Sequence, residues 1–372
     1  MDNVFSQITP PGRGAVATVG CYGPDVLAIV DRCLRTAGRV ALRDRRAASL
    51  AYGRWRVDGG LGEDLIVVPQ AADRLEIHCH GGTATVEVIS EVLINQGMRQ
   101  VPLLDLELAR GAGRWDAELT VCLGHAPTQR TAKFILRQQG LLSRWLNELQ
   151  SLITNHDWNL AIENIDEVLR WEAFGQHLIK PWSVALCGRP NVGKSSLINR
   201  IAGFERAIVD QTPGTTRDVV TQLTAVDGWP IRLLDTAGLR SETIDKVELA
   251  GISRSREMID QADGVIGVFD ASQPWDANDQ ELADDPAVDI IVLNKLDIEI
   301  PEERPECIRV SAISGDGLPN LLNHLILKLI PVEPAEVQPI PCHASQWTRL
   351  RLCRDALAGK DARQALHDLL GR

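Results

Sequence analysis

One run of eight residues constrains this chain more than any other feature: Gly188-Arg189-Pro190-Asn191-Val192-Gly193-Lys194-Ser195. It fits the pattern in which two glycines, with four residues between them, let backbone amides turn inward around a phosphate. The stretch Trp182–Cys187 reads as a strand before it, and Ser196–Ile201 reads as a helix after it. The N-terminus of that helix adds a positive dipole where an anion would sit. Strand, phosphate loop and helix in this order imply an α/β, doubly wound sheet. Lys194 is placed to reach β- and γ-phosphates, and the Ser195 hydroxyl to ligate Mg²⁺. Alone, this run leaves adenine and guanine nucleotides equally open.

The strand, loop and helix pattern repeats from Pro181 to about Ile330. Further strands are expected at Val219–Val226, Ile231–Leu234, Val265–Phe269, Ile290–Leu293 and Ile308–Val310. Asp235-Thr236-Ala237-Gly238 closes one of them, where a carboxylate can reach Mg²⁺ through water and a glycine amide can meet a γ-phosphate. Gly214-Thr215-Thr216-Arg217-Asp218 lies between and reads as a switch loop whose threonine completes the Mg²⁺ shell. Asn294-Lys295-Leu296-Asp297 closes the next strand, and a carboxylate there accepts from the guanine N1 and 2-amino groups together. Adenine has no such donor pair. Ser311-Ala312-Ile313 follows the last strand and would support the base through a backbone amide. Asn191, Val192, Gly193, Lys194, Ser195, Ser196, Thr215 and Thr216 thus join Asp235 to Gly238, Asn294, Lys295, Asp297 and Ser311 to Ile313 as one guanine-nucleotide site.

Leu239 follows Gly238, where Ras-like GTPases carry a glutamine that orients water. An apolar side chain cannot do this, so the polar group must come from elsewhere, and Glu242–Glu248 is the nearest source. No arginine finger is evident, with Arg189, Arg217 and Arg240 left open as sources.

The remainder divides by pattern. Residues 1–112 mix strand-like runs (Gly14–Val19, Leu65–Val68, Leu75–Cys79) with a helix at Thr85–Gln96, which makes an α+β domain. Residues 113–180 carry apolar side chains at helical spacing in Pro127–Glu148 and His156–Phe174, with Trp145, Trp158 and Trp171 as packing residues. After residues 181–332 a proline-rich linker leads, within residues 333–372, to one helix from about Ala344 to Leu370. The net charge of −11 repels nucleic-acid phosphates, so RNA contact would need a local basic patch or a partner. Arg39, Arg43, Arg45 and Arg46 read as a solvated face. Eight irregularly spaced cysteines suit a reducing cytosol, and neither a signal peptide nor a membrane span is expected.

The strings GRPNVGKSSLIN, AIVDQTPGTTRD, DTAGLR and NKLD closely resemble the G domain of the MnmE/TrmE tRNA-modification GTPases. ITPPGRGAVATV resembles that family's N-terminal strand, and HCHGG its GHGG segment. The resemblance implies a Ras-like P-loop GTPase domain inserted in a helical domain behind an N-terminal folate-binding-like dimerisation domain. It implies GTP hydrolysis with K⁺ in place of an arginine finger, the ion lying beside Asn191 with Asp210, Thr212 and Thr215 around it. Mg²⁺ falls to Ser195 and Thr216, and the glutamate that orients water indirectly maps onto Glu248, with Lys194 its catalytic companion. A homodimer, an FAD-dependent MnmG-type partner and tRNA wobble-uridine modification in the cytoplasm are implied as well.

Three departures stand beside it. The chain closes Leu369-Leu370-Gly371-Arg372 where the family has Cys-x-Gly-Lys, Gln70–Arg74 runs into the next strand where the family has FTGED, and Gly20 stands where the family has a folate-contacting arginine. These lead to an expectation of a competent GTPase with weak or absent folate binding. They also leave open an alternative, a regulatory or ribosome-assembly GTPase switch without modification chemistry. A weaker third possibility, a nucleotide binder without turnover, sits poorly with Lys194, Ser195, Thr216 and Asp235.

Overall fold

Leu75, Ile77 and Cys79 are buried while Glu76, His78 and His80 between them are not, a period of two that gives a strand one apolar face. The computed structural model of the protein describes residues 2–12, 14–36, 40–57, 60–204, 221–235, 256–298 and 307–371. Its contacts divide into two units: Met1–His125 with Leu142–His156 and Arg351–Arg372, and Ala126–Leu141 with Asp157–Leu350.

The first unit opens with β1 (Val4–Gln7), β2 (Val16–Tyr22), α1 (Val26–Cys33), β3 (Leu34–Thr36) and β4 (Ala51–Val57). It continues with β5 (Gly60–Ala71), β6 (Arg74–His80), α2 (Thr83–Asn95), β7 (Arg99–Gln100), α3 (Leu103–Ala109) and α4 (Arg114–Gly124). The strands form one sheet in the order β3-β4-β5-β6-β2-β1-β7, antiparallel except where β1 meets β7. One face carries the core: Phe5, Val19, Trp55, Val67, Leu75 and Ile77 pack with Val30 of α1 and Leu93 of α2. Where the family's FTGED segment would lie, β5 and β6 are joined by a tight turn with Ala71 paired to Arg74. Four strands beyond those expected, β1, β3, β4 and β7, form because neighbours supply their pairing.

Helices α5 (Gln129–Thr154), α6 (Trp158–Leu169) and α7 (Glu172–Gln176) follow. In the second unit Phe134 and Phe174 meet Trp182 and Trp229, with ring centroids 5.3 Å (Phe134–Phe174), 5.5 Å (Phe174–Trp229) and 5.6 Å (Trp182–Trp229) apart. This unit then runs β8 (Trp182–Cys187), α8 (Lys194–Phe204), β9 (Thr221–Val226), β10 (Trp229–Asp235) and β11 (Gly264–Asp270). It continues with α9 (Ala277–Ala283), β12 (Ile290–Asn294), β13 (Ile308–Arg309) and α10 (Leu318–Leu329). The six strands lie in the order β13-β12-β11-β8-β10-β9, all parallel except the β9–β10 pair. Parallel strands covered by helices need apolar residues on both faces, which is why β8 and β11 read as almost continuous apolar runs.

The last expected helix is two, α11 (Ala344–Ala358) and α12 (Ala362–Leu370). Lys360 adopts a left-handed backbone (φ 64°) after Gly359, and the Asp361 carboxylate accepts from the Gln364 amide at 2.9 Å, restarting the helix. None of the eight cysteines forms a disulfide. Among the described residues, no helix is long and apolar enough to cross a membrane.

Candidate nucleotide site

Parallel pairing brings the carboxyl ends of β8, β10, β11 and β12 to one edge, setting Asp235 beside Leu186 and Asp270 beside Asn294. The chain leaves β8 at Cys187, turns through Gly188–Gly193 and enters α8 at Lys194. Lys194 Nζ donates to the carbonyls of Gly188 and Arg189, each at 2.8 Å, and the residue is only 5% exposed. A desolvated cation is thereby held against the loop whose amides would cradle phosphate.

Ser195 Oγ donates to Asp235 Oδ2 at 2.6 Å, and Asp235 is buried at the end of β10. A hydroxyl and a carboxylate this close offer two hard oxygen donors, a set that suits Mg²⁺.

Asn294 is 2% exposed and ties its own loop to two others. Its Nδ2 donates to the Val192 carbonyl at 2.9 Å, and its Oδ1 accepts from the Ala312 amide at 3.0 Å. Gly193 has φ 96°, and a Cβ there would stand 2.3 Å from Asn294 Nδ2, so the approach needs glycine. The Ala312 amide is therefore engaged by the Asn294 side chain. Ile313, beside it, is largely exposed.

Asp297 is exposed, and its Oδ1 accepts from Ser311 Oγ at 2.5 Å. The same Ser311 oxygen accepts from the Ser314 amide at 3.1 Å, which fixes the direction of its hydroxyl. Lys295 lies in the left-handed region (φ 71°) and its Nζ pairs with Asp270 Oδ2 at 2.6 Å. Burial works to raise the Asp270 pKa, but the hydrogen bonds from Lys295 and from the Ser272 hydroxyl and amide outweigh it and hold the carboxyl below its usual range. Asp270 belongs to no motif in the sequence, yet it ends an apolar strand as Asp235 does.

Arg189 is occupied. Its Nη2 pairs with Asp276 and its Nε with Asp279 at 3.3 Å, at the start of α9, where Asp276 also accepts from the amides of Asn278 and Asp279. Asn191, in the left-handed region (φ 66°), and Ser196 are both exposed on the loop and the first turn of α8. Asp210, Thr212, Thr215, Thr216, Thr236, Ala237, Gly238 and Glu248 lie outside the described residues, as do Arg217 and Arg240.

The family model described as a 50S ribosome-binding GTPase matches residues 183–295, the span from β8 to Lys295. The tRNA modification GTPase MnmE of Thermotoga petrophila is 32% identical over 86% of this chain and 81% of its own length. The protein of the same name from a Synechococcus species is 34% identical over 85% of this chain and 78% of its own. Among solved structures, Era of Aquifex aeolicus bound to GDP and AlF4⁻ is 25% identical, with a TM-score of 0.32 over 47% of this chain and 66% of that one. The match to a GTPase family model and to GTPase relatives makes this chain a GTP hydrolase, and similarity along about four fifths of those relatives' length places it in the MnmE family of tRNA modification GTPases.

Proposed function

We propose that this chain hydrolyses GTP with Mg²⁺ and K⁺ and that the turnover serves modification of the tRNA wobble uridine. The observation that carries the first half is the Ser195–Asp235 contact of 2.6 Å beside the buried Lys194. Ser195 and Thr216 would hold Mg²⁺, which when bound neutralises charge on the β- and γ-phosphate oxygens. Asn191, with Asp210, Thr212 and Thr215, would hold K⁺, and the amide oxygen of Asn191 with neighbouring carbonyls is a suitable hard-oxygen set. The cation there would offset charge that develops between the β- and γ-phosphates, as an arginine finger does elsewhere. Glu248 is the group assigned to orient the attacking water, since Leu239 cannot. The tRNA half rests on membership of the family, with a homodimer in the cytoplasm and an FAD-dependent MnmG-type partner.

Two measurements test the reading. GTP turnover in KCl should greatly exceed that in NaCl at equal ionic strength, and Asn191→Ala should abolish the difference. Equal rates in the two salts overturn the K⁺ assignment. Mass spectrometry of wobble uridine in cells lacking the protein should reveal loss of the modification, and an unchanged nucleoside profile with altered ribosomal particles would favour an assembly switch instead.

A further inference from the structure

Helix α8 carries Ser196, Asn199, Arg200 and Gly203 at spacings of three, four and seven, so they share one face. With Phe204 and Ala312 they line a cleft of about 530 Å³. Arg200, half-buried, is the cation of that cleft. Its Nε donates to the main-chain carbonyl of Ala312 at 2.8 Å, across 112 positions of sequence. Among the described residues it pairs with no carboxylate, so what its side chain does there is hold that carbonyl.

Ala312 is thus gripped at both ends: its N–H donates to Asn294 Oδ1 at 3.0 Å, and its C=O accepts from Arg200. The turn that contains it is closed on itself. The Gly315 amide donates to the Ser311 carbonyl at 2.8 Å, and the Ser311 amide to the Asp316 carbonyl at 2.9 Å. Gly315 has φ 91°, and a Cβ there would stand 3.9 Å from Arg200 Cζ, so the guanidinium lies over the turn. A turn closed in this way moves as one piece. Holding Ala312 therefore also sets Ser311, whose hydroxyl donates to Asp297 Oδ1 at 2.5 Å. Asp297 is exposed, and an exposed carboxylate samples several rotamers unless a partner selects one.

We propose that Arg200 is a positioning residue for base recognition. From the helix that follows the phosphate loop, its Nε–H fixes the Ser311–Asp316 turn, and through Ser311 it orients Asp297 toward the guanine N1 and 2-amino groups. Lys194 and Arg200 ride on one helix fewer than two turns apart, so the phosphate end and the base end of the site are set by one rigid element. The inference rests on the reading of Asp297 as the base acceptor.

The experiment measures the affinities of GTP and of ITP, which lacks the 2-amino group, by displacement of a fluorescent GDP analogue from the full chain. The wild type should prefer GTP by about tenfold or more, since ITP leaves half of the paired acceptor unfilled. Arg200→Met keeps the stem and removes the donor. It should weaken GTP by about tenfold and ITP by less, so that the preference shrinks. Arg200→Gln puts an amide N–H at the same place along the side chain without the charge, and should keep most of the preference. Equal loss for both nucleotides in Arg200→Met, or loss for neither, overturns the proposal. So does a failing Arg200→Gln beside an Arg200→Lys that restores the preference, because the effect would then be one of charge. A wild type that binds GTP and ITP alike overturns the reading of Asp297 and this proposal with it, whereas a selective wild type with an unresponsive Arg200→Met overturns this proposal alone. Melting curves without nucleotide show whether each variant is folded, and Arg200→Ala takes the place of Arg200→Met if the latter is not.

Discussion

Asn294 donates its side-chain amide to the main-chain carbonyl of Val192 at 2.9 Å, tying the loop that follows β12 to the phosphate loop across 102 positions of sequence. The side chain accepts at its other end from Ala312, so one buried residue joins three loops of the nucleotide site. A phosphate loop so tethered is positioned before any nucleotide arrives, which lowers the ordering cost of binding.

Asn294→Ala should therefore lower stability and nucleotide affinity together. Removing it leaves the Val192 carbonyl and the Ala312 amide without their partner, at about 1–3 kcal/mol, or roughly ten- to a hundredfold in GTP affinity. Titration with a fluorescent GTP analogue and a melting curve check this. Full affinity in a destabilised variant would mean that the loops are placed independently.

Asp297→Asn should relax the base preference. Exchanging the paired acceptor for an amide removes the match to guanine N1 and its 2-amino group, at about 2–4 kcal/mol. Competition between GTP and ATP measures it, and equal displacement of GTP by ATP from the unaltered protein would refute the assignment of Asp297.

Arg189→Ala separates a structural from a chemical cation. Its guanidinium is engaged by Asp276 and Asp279, so turnover should fall by less than about tenfold, whereas loss of an arginine finger costs about 10³ or more. Single-turnover rates with saturating GTP decide between the two.

Asp263 makes stability depend on acid. Burial works to raise its pKa, but hydrogen bonds from His177 Nε2 and from the Ser183 amide and hydroxyl outweigh it and bring the carboxyl down from 3.8 to about 2. A folded-state pKa below the unfolded one stabilises fully above about pH 4, and that contribution is lost as pH falls toward 2. The side chain is 33% exposed, so after solvent screening the contribution is about 1 kcal/mol. The melting-temperature gap between wild type and Asp263→Asn should narrow steadily from pH 5 to pH 2, and a constant gap would remove Asp263 as the cause.

What could be read along the chain was whatever depends on neighbours in sequence. Gly188 to Ser195 sit within one loop and one helical turn, so Lys194 and Ser195 follow from local geometry alone, and Asp235 and Asn294 follow because each ends an apolar strand. The break after Ala358 was equally local, written in Gly359 and in Asp361 as a cap. Contacts set by strand register were not legible. Asp270 meets Lys295 because β11 pairs with β12 in one particular alignment, and a shift of one residue would turn every side chain to the other face. Arg189 finds Asp276 only after β11 has crossed between them. Arg110 meets Gly20 because α3 packs against the sheet from 90 positions away, a contact that no local pattern foretells. Sequence alone marked the candidates for phosphate and base chemistry, through strand ends and loop residues that act within a few positions. Tertiary structure decided which distant charge each group meets, because pairing and burial set the distances on which electrostatics and hydrogen bonding depend.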